Sequence, residues 1–404
     1  MNIVGWLAAV AVLASVLTAW MDPPSTGLVH AGALILATIW AGYSLAMRRN
    51  IPMDWLVVLP LTCGAWGVLQ IALNWTVYPF ETWNSASAWL TRAVIFSAAY
   101  AGLQQQNDIK RLQRIAIWFG GAYSLLALLQ WYTGGGTVLW MAHTTYDSEV
   151  AGTFANRDHY AAFVELLLPV ALAAAIDSER SFLVPSLCAG LMFASVIACG
   201  SRAGAFLVCM EALFFVIIAA FRRNYRAAAL VVTSLILCTL VGGWTYVWQR
   251  FATVDLFASR LEMLNSTAAM IGQRPLTGFG LGTWPSVYPS FAVFDIPGIY
   301  VNHAHNDWAE WASDGGLLFA AVLAAFACAS AIGARRHLWT VGILAVLAHA
   351  LVDFPMHKPA LACAVFFLAG VGRSASAVTA AKRAAEPRNC ERQPQSLRPH
   401  PQSL

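Results

Sequence analysis

The chain reads as an all-α, polytopic membrane protein with about twelve transmembrane helices and one long external loop. Three observations predict this. Of 404 residues, 59% are hydrophobic and 11% charged, against roughly half and a quarter in an ordinary soluble domain. The apolar residues fall in windows close to the roughly 20 needed to cross a bilayer. Lys and Arg alternate in density from one connection to the next. A water-soluble single-domain enzyme is excluded. The net charge of +4 comes from scattered basic residues rather than one patch, so no nucleic-acid partner is expected.

Taken in order, the windows run over 3–20, 28–47, 55–73, 84–106, 112–132, 158–176, 182–199, 203–221, 227–248, 313–334, 338–353 and 359–373. The first lacks a basic leader and a small-residue cleavage site, and is read as a retained span rather than a signal peptide. Cys63, Cys188, Cys199, Cys209, Cys238, Cys328 and Cys363 lie in apolar runs and Cys390 in the polar tail. No disulfide and no cysteine metal site is expected. Residues 1–373 thus form the membrane domain, with a loop over 249–312. After Gly372 the composition turns to Ala, Arg, Pro, Gln and Ser, so 374–404 is expected to be a disordered cytoplasmic tail.

Charge fixes the orientation. With a cytoplasmic N-terminus, the even connections and the tail hold 17 of the 24 Lys and Arg, which puts both termini in the cytoplasm. The other seven are Arg92, Arg157, Arg202, Arg250, Arg260, Arg274 and Lys358. They gain nothing from the positive-inside rule, and a bound anion is one reason to keep them. Arg92 sits about eight residues inside a span, roughly 12 Å deep at 1.5 Å per residue. It marks either a pairing or substrate site or a side chain reaching back to the interface.

Three segments carry the remaining polar residues. Gly152–Tyr160 places Asn156, Arg157, Asp158 and His159 at the start of the sixth span, where free N–H groups favour an anion; the plainer reading of Asn156 or Asp158 is an N-cap. Gly200-Ser201-Arg202-Ala203-Gly204 is a tight external turn that keeps Arg202 at headgroup level, and an arginine fork suits phosphate oxygens. The long loop contains Arg260, Arg274, the glycine run 278–282 and Asn302-His303-Ala304-His305-Asn306-Asp307. The glycines follow no strand and no Walker Lys-Ser pair, so they are read as a compact turn rather than a nucleotide site. Trp284, Tyr288, Phe291, Phe294 and Tyr300 are expected to lay the loop on the bilayer surface. His305 is a candidate base, on an amphipathic helix leading into the tenth span. A zinc site from His303, His305 and Glu310 is disfavoured, because histidines two apart do not share a helix face.

These segments, together with Val352–Ala360, resemble the O-antigen ligase and O-antigen polymerase superfamily of bacterial inner-membrane proteins. The likeness covers roughly residues 140–372, in the family's order. It implies a metal-independent integral-membrane glycosyltransferase, with no cofactor, acting on a glycan carried by undecaprenyl pyrophosphate. The acceptor it implies is a glycan hydroxyl or lipid A core, on the periplasmic face among membrane lipids. By the resemblance, Arg202, Arg260 and Arg274 grip the pyrophosphate, His305 activates the acceptor beside Asn306, and Asn156 matches the first asparagine of a Phe-x-Asn segment. Arg157 and Arg92 join the substrate-binding set on their charge and position. The alternatives are a protein O-oligosaccharyltransferase of the same superfamily, or a transporter or flippase of a polyprenyl-linked or anionic solute. Convergence of Arg92, Arg202 and His305 in one external cavity favours the enzyme, and a central two-sided cavity favours transport.

Overall fold

The computed structural model describes residues 2–21, 24–46, 52–134, 137–143, 151–177, 182–242, 248, 257–293 and 301–385. The helices before the long loop are α1 (Asn2–Leu17), α2 (Pro24–Ala46), α3 (Val58–Ala72, led in by a turn at Trp55–Val57), α4 (Pro79–Gly102), α5 (Gln106–Thr133), α6 (Arg157–Asp177), α7 (Leu183–Cys199), α8 (Arg202–Phe221) and α9 (Tyr225–Gly242). The long loop contributes α10 (Phe257–Gln273) and the short α11 (Trp284–Val287), and the bundle closes with α12 (Asp307–Arg336), α13 (Val341–His349) and α14 (Pro359–Ala385).

Each of the twelve apolar windows coincides with one of these helices. Six stretches are long and apolar enough to cross a membrane: Trp55–Ala72, α5, α6, α8, α12 and α14. The chain is therefore a membrane protein, although this measure supports six crossings rather than twelve. Length and polarity account for α1 and α4. The 16 residues of α1 reach about 24 Å at 1.5 Å each, short of a hydrocarbon core of about 30 Å, and α4 carries Glu81 and Arg92.

At the centre lies α6, whose apolar window is 94% buried against 39% in α5. Its alanines at 161, 162, 171 and 175 are fully covered, since small side chains let the packed helices α5, α7, α8 and α13 approach closely. The adjoining turn depends on the same closeness. Gly200 ends α7 at φ +71°, and Ser201 caps α8 by accepting from the Gly204 N–H. A Cβ on Gly204 would stand 2.6 Å from that of Ala161.

Three expectations need correction. The last helix does not end near 373: α14 continues to Ala385, because the Ala-rich stretch with Lys382 and Arg383 keeps strong helix formers past the composition change. Residues 386–404 lie outside the described residues. Two of the loop aromatics, Trp284 and Tyr288, are buried in the loop's own core instead of being laid open for the bilayer surface. Trp284 and Tyr288 stack 4.4 Å apart inside a small core with Met263, Met270, Phe279, Val287 and Ala304. Trp284 donates to Thr267 at 2.9 Å and Tyr288 to Glu262 at 2.6 Å; Phe294 and Tyr300 lie outside the described residues. The 132–157 connection adds a two-residue antiparallel pair, Thr137–Val138 (β1) with Ala142–His143 (β2), to an otherwise helical fold.

The glycine run is a turn, with φ of +65°, +116° and +76° at Gly278, Gly280 and Gly282. It braces a break in α12, where Gly316 has φ +79°. The Phe279 and Gly280 N–H groups donate to Ser313 and Asp314 carbonyls, and that of Leu317 to Pro275. Gln70, fully buried on α3, donates to Thr277 and Asp314 carbonyls at 2.7 and 2.9 Å. The loop is thus clamped to the bundle next to the start of α12.

Candidate functional site

Helix ends at one face of the bundle build the site. Arg157 opens α6, Arg202 opens α8, His349 ends α13, and Asp353 lies in the turn between α13 and α14. With Asp158, Gly200, Ala203, Val352 and Arg260 from α10, these residues line a cavity of about 50 Å³. Three arginines far apart in sequence therefore line one cavity. Arg260 also donates to the Val352 carbonyl at 3.1 Å, which ties the long loop to the cavity rim.

Asp353 joins this cavity to the histidines. His305 Nδ1 donates to Asp353 Oδ1 at 2.9 Å, and His159 Nε2 lies 3.8 Å from Oδ2. Burial alone would raise the Asp353 carboxyl, but the His305 hydrogen bond and the neighbouring imidazoles hold it well below the usual carboxylate range. His305 is not on a helix. It sits just before the cap of α12 at φ +51°, a left-handed conformation in which His is tolerated better than most residues. With Nδ1 engaged and 29% of the side chain exposed, its Nε2 is the free end of the ring.

A second cavity, of about 210 Å³, is lined by Phe354, Asn156, His159, Asn302, His303, Lys358 and neighbours. His303 stacks on Phe354 at 4.2 Å, whereas His305 meets the same ring edge-on at 5.0 Å. Both histidines thus pack on Phe354, and its ring and His303 line the larger cavity.

Asn306 and Asn156 adopt the plainer roles. Asn306 caps α12, accepting from the Ala309 N–H at 2.9 Å and donating to the Leu351 carbonyl at 2.8 Å. Asn156 accepts from the Asp158 N–H at 2.7 Å, and Asn156 rather than Asp158 takes the capping position. His305, Arg274 and Arg92 are not in the walls of either cavity. Arg274 donates to the Trp75 carbonyl at 3.0 Å and lies over Phe279. Arg92, only 7% exposed, donates to the Met356 carbonyl at 3.0 Å and lies 4.1 Å from the Trp89 ring centre. It neither reaches the interface nor joins Arg202 and His305; it fixes the turn beneath the site.

The trio weighed for zinc is also rearranged. His305 turns to Asp353, and His357 takes its place beside His303 and Glu310, with candidate ligand atoms within 4.8 Å of one another. Hydrogen bonds account for this group as it stands. Glu310 accepts from His303 at 2.9 Å and from the Ala304 N–H at 2.8 Å. His357 bridges Asp307 and Glu310. Burial would lower His357, but the Glu310 and Asp307 carboxylates outweigh it and raise the imidazole to about 9. Asp353, His349, Glu165 and His357 escaped the functional reading of the sequence. Their signal was an ionisable residue inside or beside an apolar run.

An arginine-lined cavity thus lies beside an Asp-held histidine at one end of the helix bundle. Residues 187–325 match the O-Antigen ligase family, which bears out the resemblance to the O-antigen ligase and polymerase superfamily. The matched stretch contains Arg202, Arg260, Arg274, His303, His305 and Asn306, while Asn156, Arg157 and Asp353 lie outside it. No curated protein matches the chain. The family implies glycan transfer of the O-antigen ligase type, with a lipid-linked glycan and an acceptor as partners.

Proposed function

We propose that this protein transfers a glycan from undecaprenyl pyrophosphate to an acceptor sugar hydroxyl, at the periplasmic face of the inner membrane, in polymerisation or ligation of a surface polysaccharide. The observation that carries this is the meeting of Arg157, Arg202 and Arg260 in a cavity that shares Asp353 with His305. Guanidinium forks stabilise the charge that grows on the leaving pyrophosphate. The acceptor occupies the larger cavity, whose lining residues Phe354 and His159 touch His305 and Asp353 respectively. Its oxygen attacks the anomeric carbon of the donor, the bond from that carbon to the phosphate oxygen breaks, and the electron pair leaves with the pyrophosphate. The hydroxyl proton passes to His305 Nε2, while Asp353 holds Nδ1–H and fixes the tautomer. No metal is needed for charge stabilisation on this reading. Arg92 and Arg274 act here through the scaffold, and Asn306 through the helix cap.

The test is Arg202→Lys and Arg202→Ala in vitro, with purified lipid-pyrophosphate donor and turnover normalised to folded protein. Lysine keeps the charge and loses the planar fork, so Arg202→Lys is impaired and Arg202→Ala more so. Full product from Arg202→Ala removes the proposal.

A further inference from the structure

The wall of the arginine cavity facing the bundle interior is formed by a group that the reaction above does not use. His349 is 1% exposed and its Nδ1 lies 2.9 Å from Oε1 of Glu165, itself fully buried at the middle of α6. The other ring nitrogen, Nε2, is buried and has no hydrogen-bond partner among the described residues, and His349 is one of the residues that line the cavity with Arg157, Arg202 and Arg260. A buried polar atom without a partner is costly, and the cavity that His349 lines is a space where a partner can sit. At about 50 Å³ the space exceeds one water's share of about 30 Å³ and is of the scale of one tetrahedral oxyanion. Asp158 and Asp353 also line it, so three guanidiniums face two carboxylates before His349 is counted.

We infer that His349, held by Glu165, is a phosphate-binding residue that donates Nε2–H to a non-bridging oxygen of the lipid-linked pyrophosphate. This rests on the reading of the arginine cavity as the pyrophosphate site. Glu165 on one side and the phosphate on the other are both anions, so the ring between them keeps both protons and donates to each. Glu165 is thus a positioning residue: its carboxylate orients the ring and balances its charge inside the bundle. No covalent step is involved, and the contact persists after the anomeric bond breaks and the pyrophosphate takes the electron pair.

Two near-isosteres separate binding from scaffolding. His349→Asn keeps an amide where Nδ1 meets Glu165 but has nothing at the Nε2 position; His349→Gln extends an amide toward the Nε2 position. The measurement is affinity of the purified full chain for inorganic pyrophosphate, read as inhibition of transfer, with the KM for the acceptor beside it. His349→Asn is expected to weaken pyrophosphate about tenfold to a hundredfold, the weight of one charge-assisted hydrogen bond, with acceptor KM unchanged; His349→Gln recovers part of the loss. A purely structural histidine gives the reverse order, with the asparagine milder, and that order overturns the inference. Glu165→Gln keeps the volume and a hydrogen-bonding oxygen, so it reports even if a His349 variant does not accumulate. It too weakens pyrophosphate, and unchanged affinity overturns the inference. Arg202→Ala is the control that separates the two readings: if it binds pyrophosphate normally, the cavity is not the phosphate site and both fall. If it loses binding while His349→Asn does not, only the role of His349 falls.

Discussion

Replacing His305 by asparagine tests the base with the least disturbance of the fold. The residue sits at φ +51°, where asparagine is among the most tolerant side chains, and its amide reproduces the donor that His305 Nδ1 offers Asp353 at 2.9 Å. What disappears is Nε2 alone. Alanine, by contrast, also removes a hydrogen bond to a charged group, worth about 1.5–3 kcal/mol, so a loss of folded protein is entangled with a loss of chemistry. General base catalysis contributes about 10²–10⁴-fold, or roughly 3–5 kcal/mol at 1.36 kcal/mol per decade. The assay is transfer from purified undecaprenyl-pyrophosphate-linked glycan, at saturating donor and acceptor, normalised to folded protein. His305→Asn is expected to keep its melting temperature and donor affinity while kcat falls at least a hundredfold. Retention of more than about a tenth of wild-type kcat refutes the role, and the arginines with proximity must then carry the reaction.

Gly316→Ala places a Cβ 2.2 Å from the Leu276 carbonyl at φ +79° and ψ 172°, a region populated essentially by glycine alone; strain of about 1–3 kcal/mol with overpacking of about 1–3 predicts a loss of roughly 2–6 kcal/mol in denaturant unfolding, and an unchanged midpoint contradicts it. The His357 imidazole is raised to about 9 by Glu310 and Asp307 against the effect of burial. Since this lies above the unfolded value of about 6.5, the stabilisation is complete below about pH 6.5 and lost as pH rises through about 9. Melting temperature should fall across that window in the wild type and more weakly in His357→Gln; parallel curves rule the bridge out. Reporter fusions after Arg226 and after Arg336 should read as cytoplasmic, and one near Thr283 as periplasmic; a cytoplasmic signal at Thr283 removes the external site.

Much of the architecture was legible because a bilayer imposes one demand, a run of apolar residues, that the sequence answers locally. The same demand exposed Arg157, Arg202 and Arg260, whose charge on the wrong side needed another reason. Arg92 and Arg274 gave the same signal for a different cause, a backbone carbonyl and an aromatic face, and charge position alone does not separate the two. His349 and Glu165 meet across 184 residues, and no local pattern announces such a pairing. Nor did periodicity reveal that His305 precedes its helix in a left-handed turn, which decides which carboxylate it meets. The loop aromatics misled for a related reason: an amphipathic loop that faces lipid and one that covers its own core have the same composition.

The burial of α6 has a consequence for biogenesis. A helix covered over 94% of its apolar window meets lipid only before its neighbours arrive, and it carries Glu165 into the bilayer long before His349 has been synthesised. A lone carboxylate in hydrocarbon is held in its neutral form or shielded by earlier helices. The ion pair, the arginine cavity that it backs and the seat of Asp353 all wait for α13 and the turn behind it. A nascent chain halted after α12 has most of its membrane helices and no site, so the protein gains its chemistry in one late step of assembly.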